Sequence, residues 1–211
     1  MGTSQLFTYL AALSLAGAMG ASTVDFQDVS SGNCAFHGST LTSQGFSFAG
    51  NPVDANLFVC NAGVLQHNTS AALINANSQS ILTMTQVGGG AFSLESFFAG
   101  GRTAERNPDG PVSFYTPANG LEVLGNLAGG GTVSFTVALD DVAPYEWKQF
   151  VLPGTFINLS SVVFTALGQG STPEFLIDDI SVNSVPEPAT VGLLMIGALG
   201  VTYGRRRNRL D

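Results

Sequence analysis

Apolar and polar residues alternate along residues 132–139, TVSFTVAL, which is the clearest secondary-structure signal in the chain. Val133, Phe135, Val137 and Leu139 share one face, while threonine and serine occupy the other. Because successive side chains of a β-strand point to opposite faces, this alternation predicts a strand in a sheet with one buried face.

Further short runs of strand-like composition fill the middle of the chain. They cover residues 23–28, 45–49, 56–60, 80–86, 91–98, 120–124, 148–152, 161–167 and 175–182. Glycine and proline clusters at 88–90, 100–101, 107–111 and 129–131 supply the turns between them. No window shows sustained helical periodicity, so the pattern predicts an all-β sandwich of about eight to ten strands.

The two ends of the chain have a different pattern. Residues 1–21 contain the apolar run LFTYLAALSLAGAMGA, which ends in small residues and predicts a secretory signal-peptide helix. Its first residues, GTSQ after Met1, carry no lysine or arginine, so the terminal amine is the only positive charge there. The prediction leaves residues 22–184 as a single exported ectodomain.

The tail, residues 185–211, divides into a stiff motif at 185–190, an uncharged stretch at 191–203 and a basic end at 204–211. The two prolines of the motif restrict the backbone and predict an exposed, extended segment. A helix over 191–203 would be about 20 Å long, shorter than the roughly 30 Å core of a bilayer. Long arginine side chains can reach the interface and relieve this mismatch, so we predict a transmembrane helix with a cytoplasmic basic end. The residues concerned are Val185, Pro186, Glu187 and Pro188 in the motif, and Arg205, Arg206, Arg207 and Arg209 in the basic end.

A Pro-Glu-Pro motif, a single apolar helix and a terminal arginine cluster together resemble the PEP-CTERM sorting signal. The resemblance implies export, transient single-pass anchoring in the inner membrane, and processing by an exosortase, a membrane-embedded protease. The mature protein would then reside at the cell surface or outside the cell. The alternatives are a plain tail anchor or a short core helix.

The runs FSLESFF, TVSFTVAL and FLIDDISV, within residues 92–182, resemble the galactose-binding-like jelly rolls of exported bacterial proteins. This resemblance implies a jelly-roll-like antiparallel β-sandwich that is more often a lectin than a catalyst. An immunoglobulin-like sandwich is the alternative fold.

Charge and cysteine content limit the partners and cofactors. The chain has a net charge of −8, and four of its seven basic residues lie in the tail, so nucleic acid is not an expected partner of the acidic ectodomain. Cys34 and Cys60 are the only cysteines, and export to an oxidising compartment predicts a disulfide between them. A zinc site that adds His37 and His67 is the alternative, although the spacing fits no familiar finger.

The middle of the chain contains no catalytic motif. Its glutamates are scattered, no GxSxG occurs, and only two histidines are present. We therefore predict no enzymatic activity and no cofactor, and a structural or adhesive role. The alternative is a carbohydrate-binding module for exopolysaccharide, with Tyr145 and Trp147 as its aromatic platform, unless Trp147 packs at a strand entrance instead. The scattered glutamates are Glu95, Glu105, Glu122, Glu146 and Glu174.

Asp178 conflicts with the pattern of its own strand. Strict alternation in FLIDDISV would place Asp178 on a buried face with Leu176, Ile180 and Val182. An unpaired carboxylate there would cost several kcal/mol, so we predict a bulge at 178–179 or strong hydrogen-bond partners. The jelly-roll resemblance adds a second hypothesis, a structural calcium held by Asp25, Asp178 and Asp179. Gln27 weakens that hypothesis because calcium prefers carboxylate oxygen.

Overall fold

The computed structural model describes residues 21–30, 34–50, 56–61, 70–76, 81–101, 104–105, 113–114, 117–139, 147–168 and 173–184. The predicted signal peptide (apart from Ala21), the tail, His67 and Tyr145 lie outside these residues. None of the described residues belongs to a helix long and apolar enough to cross a membrane.

The described part of the chain is all-β, as predicted. Its strands are β1 (Ala21–Val24), β2 (Cys34–Gly38), β3 (Thr40–Ser43), β4 (Phe46–Gly50), β5 (Asn56–Cys60), β6 (Ala72–Ala76), β7 (Ile81–Gln86), β8 (Phe92–Gly101), β9 (Ala104–Glu105), β10 (Ser113–Phe114), β11 (Gly120–Leu127), β12 (Thr132–Ala138), β13 (Lys148–Val151), β14 (Leu159–Leu167) and β15 (Phe175–Ser184).

These strands form two antiparallel layers of a jelly-roll-like sandwich. The first layer has the order β2-β5-β6-β15-β8, with β1 added beside β15 and β13 beside β8. The second has the order β3-β4-β7-β14-β11-β12. A single bridge between Leu159 and Phe92 joins the layers. The β9–β10 hairpin forms a separate two-stranded sheet.

Aromatic side chains from both layers meet in the core. The Phe97 and Phe164 ring centroids are 5.4 Å apart, and those of Phe46 and Phe92 are 5.2 Å apart, both in edge-to-face geometry. This arrangement is favoured by the quadrupole of the rings. The alternation predicted for residues 132–139 is confirmed, because Val137 and Leu139 are buried and the core-side Val133 and Phe135 pack against the core.

The first strand is shorter than predicted. It ends at Val24, whereas the sequence predicted a strand over residues 23–28. Asp25 Oδ1 accepts hydrogen bonds from the Gln27 N–H (3.1 Å) and from Gln44 Nε2 (2.6 Å), and Phe26 adopts a positive φ of 57°. A short acidic side chain that bonds to nearby backbone favours a turn over a ladder, which explains the early end of the strand.

Candidate functional site: the outer face of the first layer

The outer face of the first layer carries a row of apolar side chains that runs across the strands. Cross-strand register places Phe36 of β2 opposite Phe58 of β5, Phe58 opposite Ile74 of β6, and Ile74 opposite Leu176 of β15. Trp147, immediately before β13, packs against the same cluster. We call these five residues the aromatic row.

The two ends of the aromatic row differ in exposure from its middle. Ile74 and Leu176 are buried, together with Cys60 and Ala72 beside them, while Phe58 and Trp147 are half-buried. Phe36 is 62% exposed, and its ring centroid lies 5.3 Å from that of Phe58. The row is therefore a small second core with an exposed Phe36 ring beside half-buried Phe58 at the β2 end and a half-buried indole at the β13 end.

Trp147 has the packing role that the sequence analysis gave as its alternative. It contacts the second core, and Phe150 of β13 packs on the main core with its ring centroid 5.5 Å from that of Phe97. The half-buried indole of Trp147 keeps part of its surface accessible. Its role as a sugar platform stays a prediction.

The disulfide prediction is confirmed at the edge of this face. Cys34 and Cys60 are directly opposite each other on β2 and β5 and are joined by a disulfide, with their Cα atoms 4.0 Å apart. Because alternate residues of a strand share a face, the disulfide lies on the same side as the Phe36–Phe58 pair, two residues along each strand. The bond therefore fixes β2, which carries the most exposed ring of the row, to its neighbour. A cysteine-based zinc site is excluded because both thiols are used.

Asp178 lies on this outer face in the next cross-strand row, fully buried and opposite Phe98 of β8. Its Oδ1 accepts a hydrogen bond from the Asp179 N–H (2.7 Å), and its Oδ2 accepts one from the Ser70 hydroxyl. The β15–β8 register shifts between Asp178 and Ser181, and Asp179 has a φ of 45°. The structure thus contains both predicted features, the bulge and the hydrogen-bond partners.

Burial raises the pKa of the Asp178 carboxyl from 3.8 to about 8. The Ser70 hydroxyl and the Asp179 N–H oppose this shift, while the negative charges of Asp179 and Asp25 add to it. Near neutral pH the buried carboxyl is therefore mostly protonated and uncharged.

Asp25, a predicted calcium ligand, and the neighbouring Asp28 are hydrogen-bonded in the turn after β1. Asp25 bonds to Gln44 and Gln27, and Asp28 accepts bonds from Ser43 Oγ (2.5 Å) and the Gln44 N–H (2.9 Å). Within the described residues, no group of three or more histidine, cysteine, aspartate or glutamate side chains could hold a metal ion. The calcium site therefore stays a prediction.

Two of the scattered glutamates lie on different layers. Glu95 of β8 accepts hydrogen bonds from Ser181 Oγ (3.3 Å) and Asn183 Nδ2 on the first layer. Glu122 of β11 is exposed on the second layer, opposite Thr165 and Thr136. These two carboxylates therefore do not flank a common cleft, as a glycosidase pair would.

Sequence reasoning missed Phe36, Phe58 and Ser70. The first two form an aromatic pair only because of the β2–β5 register, and β2 has no alternating pattern that predicts a strand. Ser70 lies 108 residues from Asp178 in the sequence, so nothing local connects the two. The sequence signal that could have pointed to this outer face is an unbroken apolar run such as LFVC in β5, because a strand of this kind is buried on both faces.

Comparison with solved structures returns carbohydrate-binding modules of low similarity. A carbohydrate-binding module of family 29 has 10% identity and a TM-score of 0.39, with 72% of this chain and 86% of that chain covered. TmCBM61 in complex with β-1,4-galactotriose has 11% identity and a TM-score of 0.39, covering 67% and 90%. The CBM22-1 xylan-binding domain from Paenibacillus barcinonensis has 11% identity and a TM-score of 0.41, covering 81% and 99%.

No curated protein sequence matches this chain. Residues 184–207 match the family described as the PEP-CTERM protein-sorting motif. This match covers the motif, the apolar stretch and residues 204–207 of the basic end, which include three of its four arginines. The chain therefore carries a PEP-CTERM sorting motif at its C-terminal end, which indicates an exported protein handled by an exosortase-type system.

Proposed function

We propose that this chain is a non-catalytic, adhesive protein of the cell surface or extracellular matrix, and that it binds exopolysaccharide through the ends of its aromatic row. The observation that carries the proposal is the exposed Phe36 ring beside Phe58, on the same face as Trp147. Aromatic rings present an apolar face with a polarisable surface, on which the C–H face of a sugar ring can stack. Contiguous apolar side chains at the surface of a domain mark interaction sites.

The spacing of the aromatic row favours a polymer over a single sugar. Phe36 lies on β2 and Trp147 precedes β13, and five inter-strand steps separate these strands through β5, β6, β15 and β8. At about 4.8 Å per step, the two ends are roughly 24 Å apart. A monosaccharide could touch one end only, whereas a polysaccharide chain laid across the strands could contact both.

Replacement of Phe36 by alanine is expected to weaken or abolish binding on an array of bacterial polysaccharides. The exposed ring contributes little to packing, so the melting temperature should change little. Trp147→Ala should also reduce binding, but it removes packing from the second core and should lower the melting temperature as well. Measuring both binding and melting for each variant separates these effects.

Ile157→Ala is the matched control, because Ile157 is 56% exposed and lies in the connection between β13 and β14, away from the aromatic row. It should bind as the parent protein does. If Phe36→Ala and Trp147→Ala bind every polysaccharide as well as Ile157→Ala does, polysaccharide binding through the aromatic row is wrong.

Processing of the tail gives a separate prediction. The motif Val185–Pro186–Glu187–Pro188 is predicted from its sequence to be extended and to precede a marginal apolar helix, so a protease at the membrane should be able to reach it. Mass spectrometry of protein recovered from the cell surface is expected to find a C-terminus near residues 186–189. Intact surface protein that still ends at Asp211 would contradict processing.

A further inference from the structure

The strand β12 is an open edge of the second layer. It forms a ladder with β11, and no other described strand pairs with it. Thr132, Ser134, Thr136 and Ala138 are exposed along it. The backbone groups that point away from β11 are therefore available for pairing with another strand.

The other edge strands in the described part of the chain have features that discourage pairing. β1, β3 and β13 contain only four residues each, and β13 begins with Lys148. β2 is interrupted by a register shift between Phe36 and Gly38 and carries the disulfide. Short strands, lysines and irregularities are the features that protect natural sheet edges from association.

β12 has none of these features. It contains seven residues, TVSFTVA, without charge or proline, and it pairs with Gly120–Asn126 of β11 without a register shift. Its core-side residues Val133 and Phe135 are only half-buried, although they pack against the main core. A strand added beside β12 would cover these two side chains and satisfy the open backbone groups.

We propose that β12 pairs antiparallel with β12 of a second copy of this chain, so that the second layers of two molecules form one continuous sheet. A two-fold axis at Phe135 would bring Ser134 opposite Thr136, and Val133 opposite Val137. These are the small polar and β-branched pairs that stabilise neighbouring strands. The two-fold relation makes the contact closed and self-complementary.

The uncharged β12 edge is a place where two copies of this acidic chain can meet without charge repulsion. The chain carries a net charge of −8, so two copies repel each other over most of their surfaces. β12 is uncharged, and Glu122, opposite Thr136 on β11, is one strand further from the contact. The open edge is thus a place where two acidic molecules can approach closely. The interface is small, so the dimer should be weak in solution and populated where export concentrates the protein at a surface.

Sedimentation of the mature exported protein over a concentration series tests the proposal. The average mass is expected to rise from monomer to dimer as the concentration increases through the micromolar range. The double substitution Ser134→Lys with Thr136→Lys would place lysines opposite each other across the two-fold axis. It should weaken the dimer by at least about tenfold, because like charges facing each other destabilise strand pairing.

Thr83→Lys with Thr85→Lys is the matched control, since it places two lysines at the same spacing on the central strand β7 of the same layer. It should leave dimerisation unchanged. Hydrogen exchange of the unmodified protein provides a second readout, in which β12 amides gain protection as the concentration rises. Monomeric behaviour up to several hundred micromolar, equal weakening by both lysine pairs, or unchanged β12 exchange would each overturn the proposal.

Discussion

Reduction of the Cys34–Cys60 disulfide is expected to lower the stability of the exported protein by about 3 kcal/mol. The bond closes a loop with a sequence separation of 26 residues, and a crosslink of this length removes conformational entropy from the unfolded chain. For a domain of this size, the loss corresponds to a fall in melting temperature of roughly 6–12 °C. Thermal unfolding with and without a phosphine reductant measures it.

The alanine pair Cys34→Ala with Cys60→Ala provides the control. Its melting temperature should already lie near that of the reduced parent protein, and reductant should not lower it further. Alanine is preferred to serine because Cys60 is buried, and a hydroxyl there would need a partner. If reductant leaves the parent protein unchanged while thiol counting shows full reduction, the stabilising role of the bond is wrong.

The same experiment links the disulfide to the proposed binding surface. β2 pairs with β5 alone among the described strands, and Phe36 is two residues from Cys34. Breaking the bond frees the strand that carries the most exposed ring of the aromatic row. Polysaccharide binding is therefore expected to weaken on reduction, even at temperatures at which the rest of the sandwich remains folded.

Sequence periodicity predicted the long strands well, because each has one face on the core. In β14, for example, Val162, Phe164 and Ala166 are buried, while Val163 and Thr165 between them lie on the outer side. β2 (CAFHG) and β3 (TLTS) were missed because each contains a single large apolar residue, too few to show a period of two. β6 (ALINA) was missed because Leu73 and Ile74 are buried on opposite faces of the strand, so its sequence shows no alternation.

The candidate site was harder to predict from the sequence, because only the cross-strand register brings its side chains together. The sequence identified Trp147 as a candidate sugar platform. Only its packing against the second core shows that it lies in the aromatic row. Phe36 and Phe58 are unremarkable in sequence and become a pair through the β2–β5 ladder. Asp178 was predictable as a conflict, since its burial contradicts its charge whichever strands surround it.

Calcium binding by Asp178 and protonation of Asp178 should respond to pH in opposite directions. Calcium needs ionised carboxylates, so a proton on Asp178 competes with the metal. If Asp25, Asp178 and Asp179 form a site, added calcium should raise the melting temperature more at pH 9 than at pH 6. A chelator should reverse the increase. Equal melting temperatures with calcium and with chelator at both pH values would contradict the site.

Replacement of Asp178 by asparagine is expected to stabilise the protein at alkaline pH and to change it little near pH 4. The folded-state pKa of Asp178 is about 8, above its ordinary value of 3.8, so the folded state holds a proton that the unfolded chain releases. The stability that depends on this proton is fully present below about pH 4 and is lost as the pH rises through 8. The accumulated loss is on the order of several kcal/mol, and asparagine, which does not ionise, avoids it.

Two further variants separate ionisation from hydrogen bonding. Asp178→Ala removes the acceptor of the Asp179 N–H and the Ser70 hydroxyl, and at pH 4 it should cost about 1–3 kcal/mol that asparagine does not. Ser70→Ala removes a hydrogen bond that lowers the pKa of Asp178, so the alkaline loss of stability should extend to higher pH. Chemical denaturation from pH 4 to 9 compares the parent with all three variants. Parallel stability curves for the parent and Asp178→Asn would show that Asp178 does not hold its proton in the folded state.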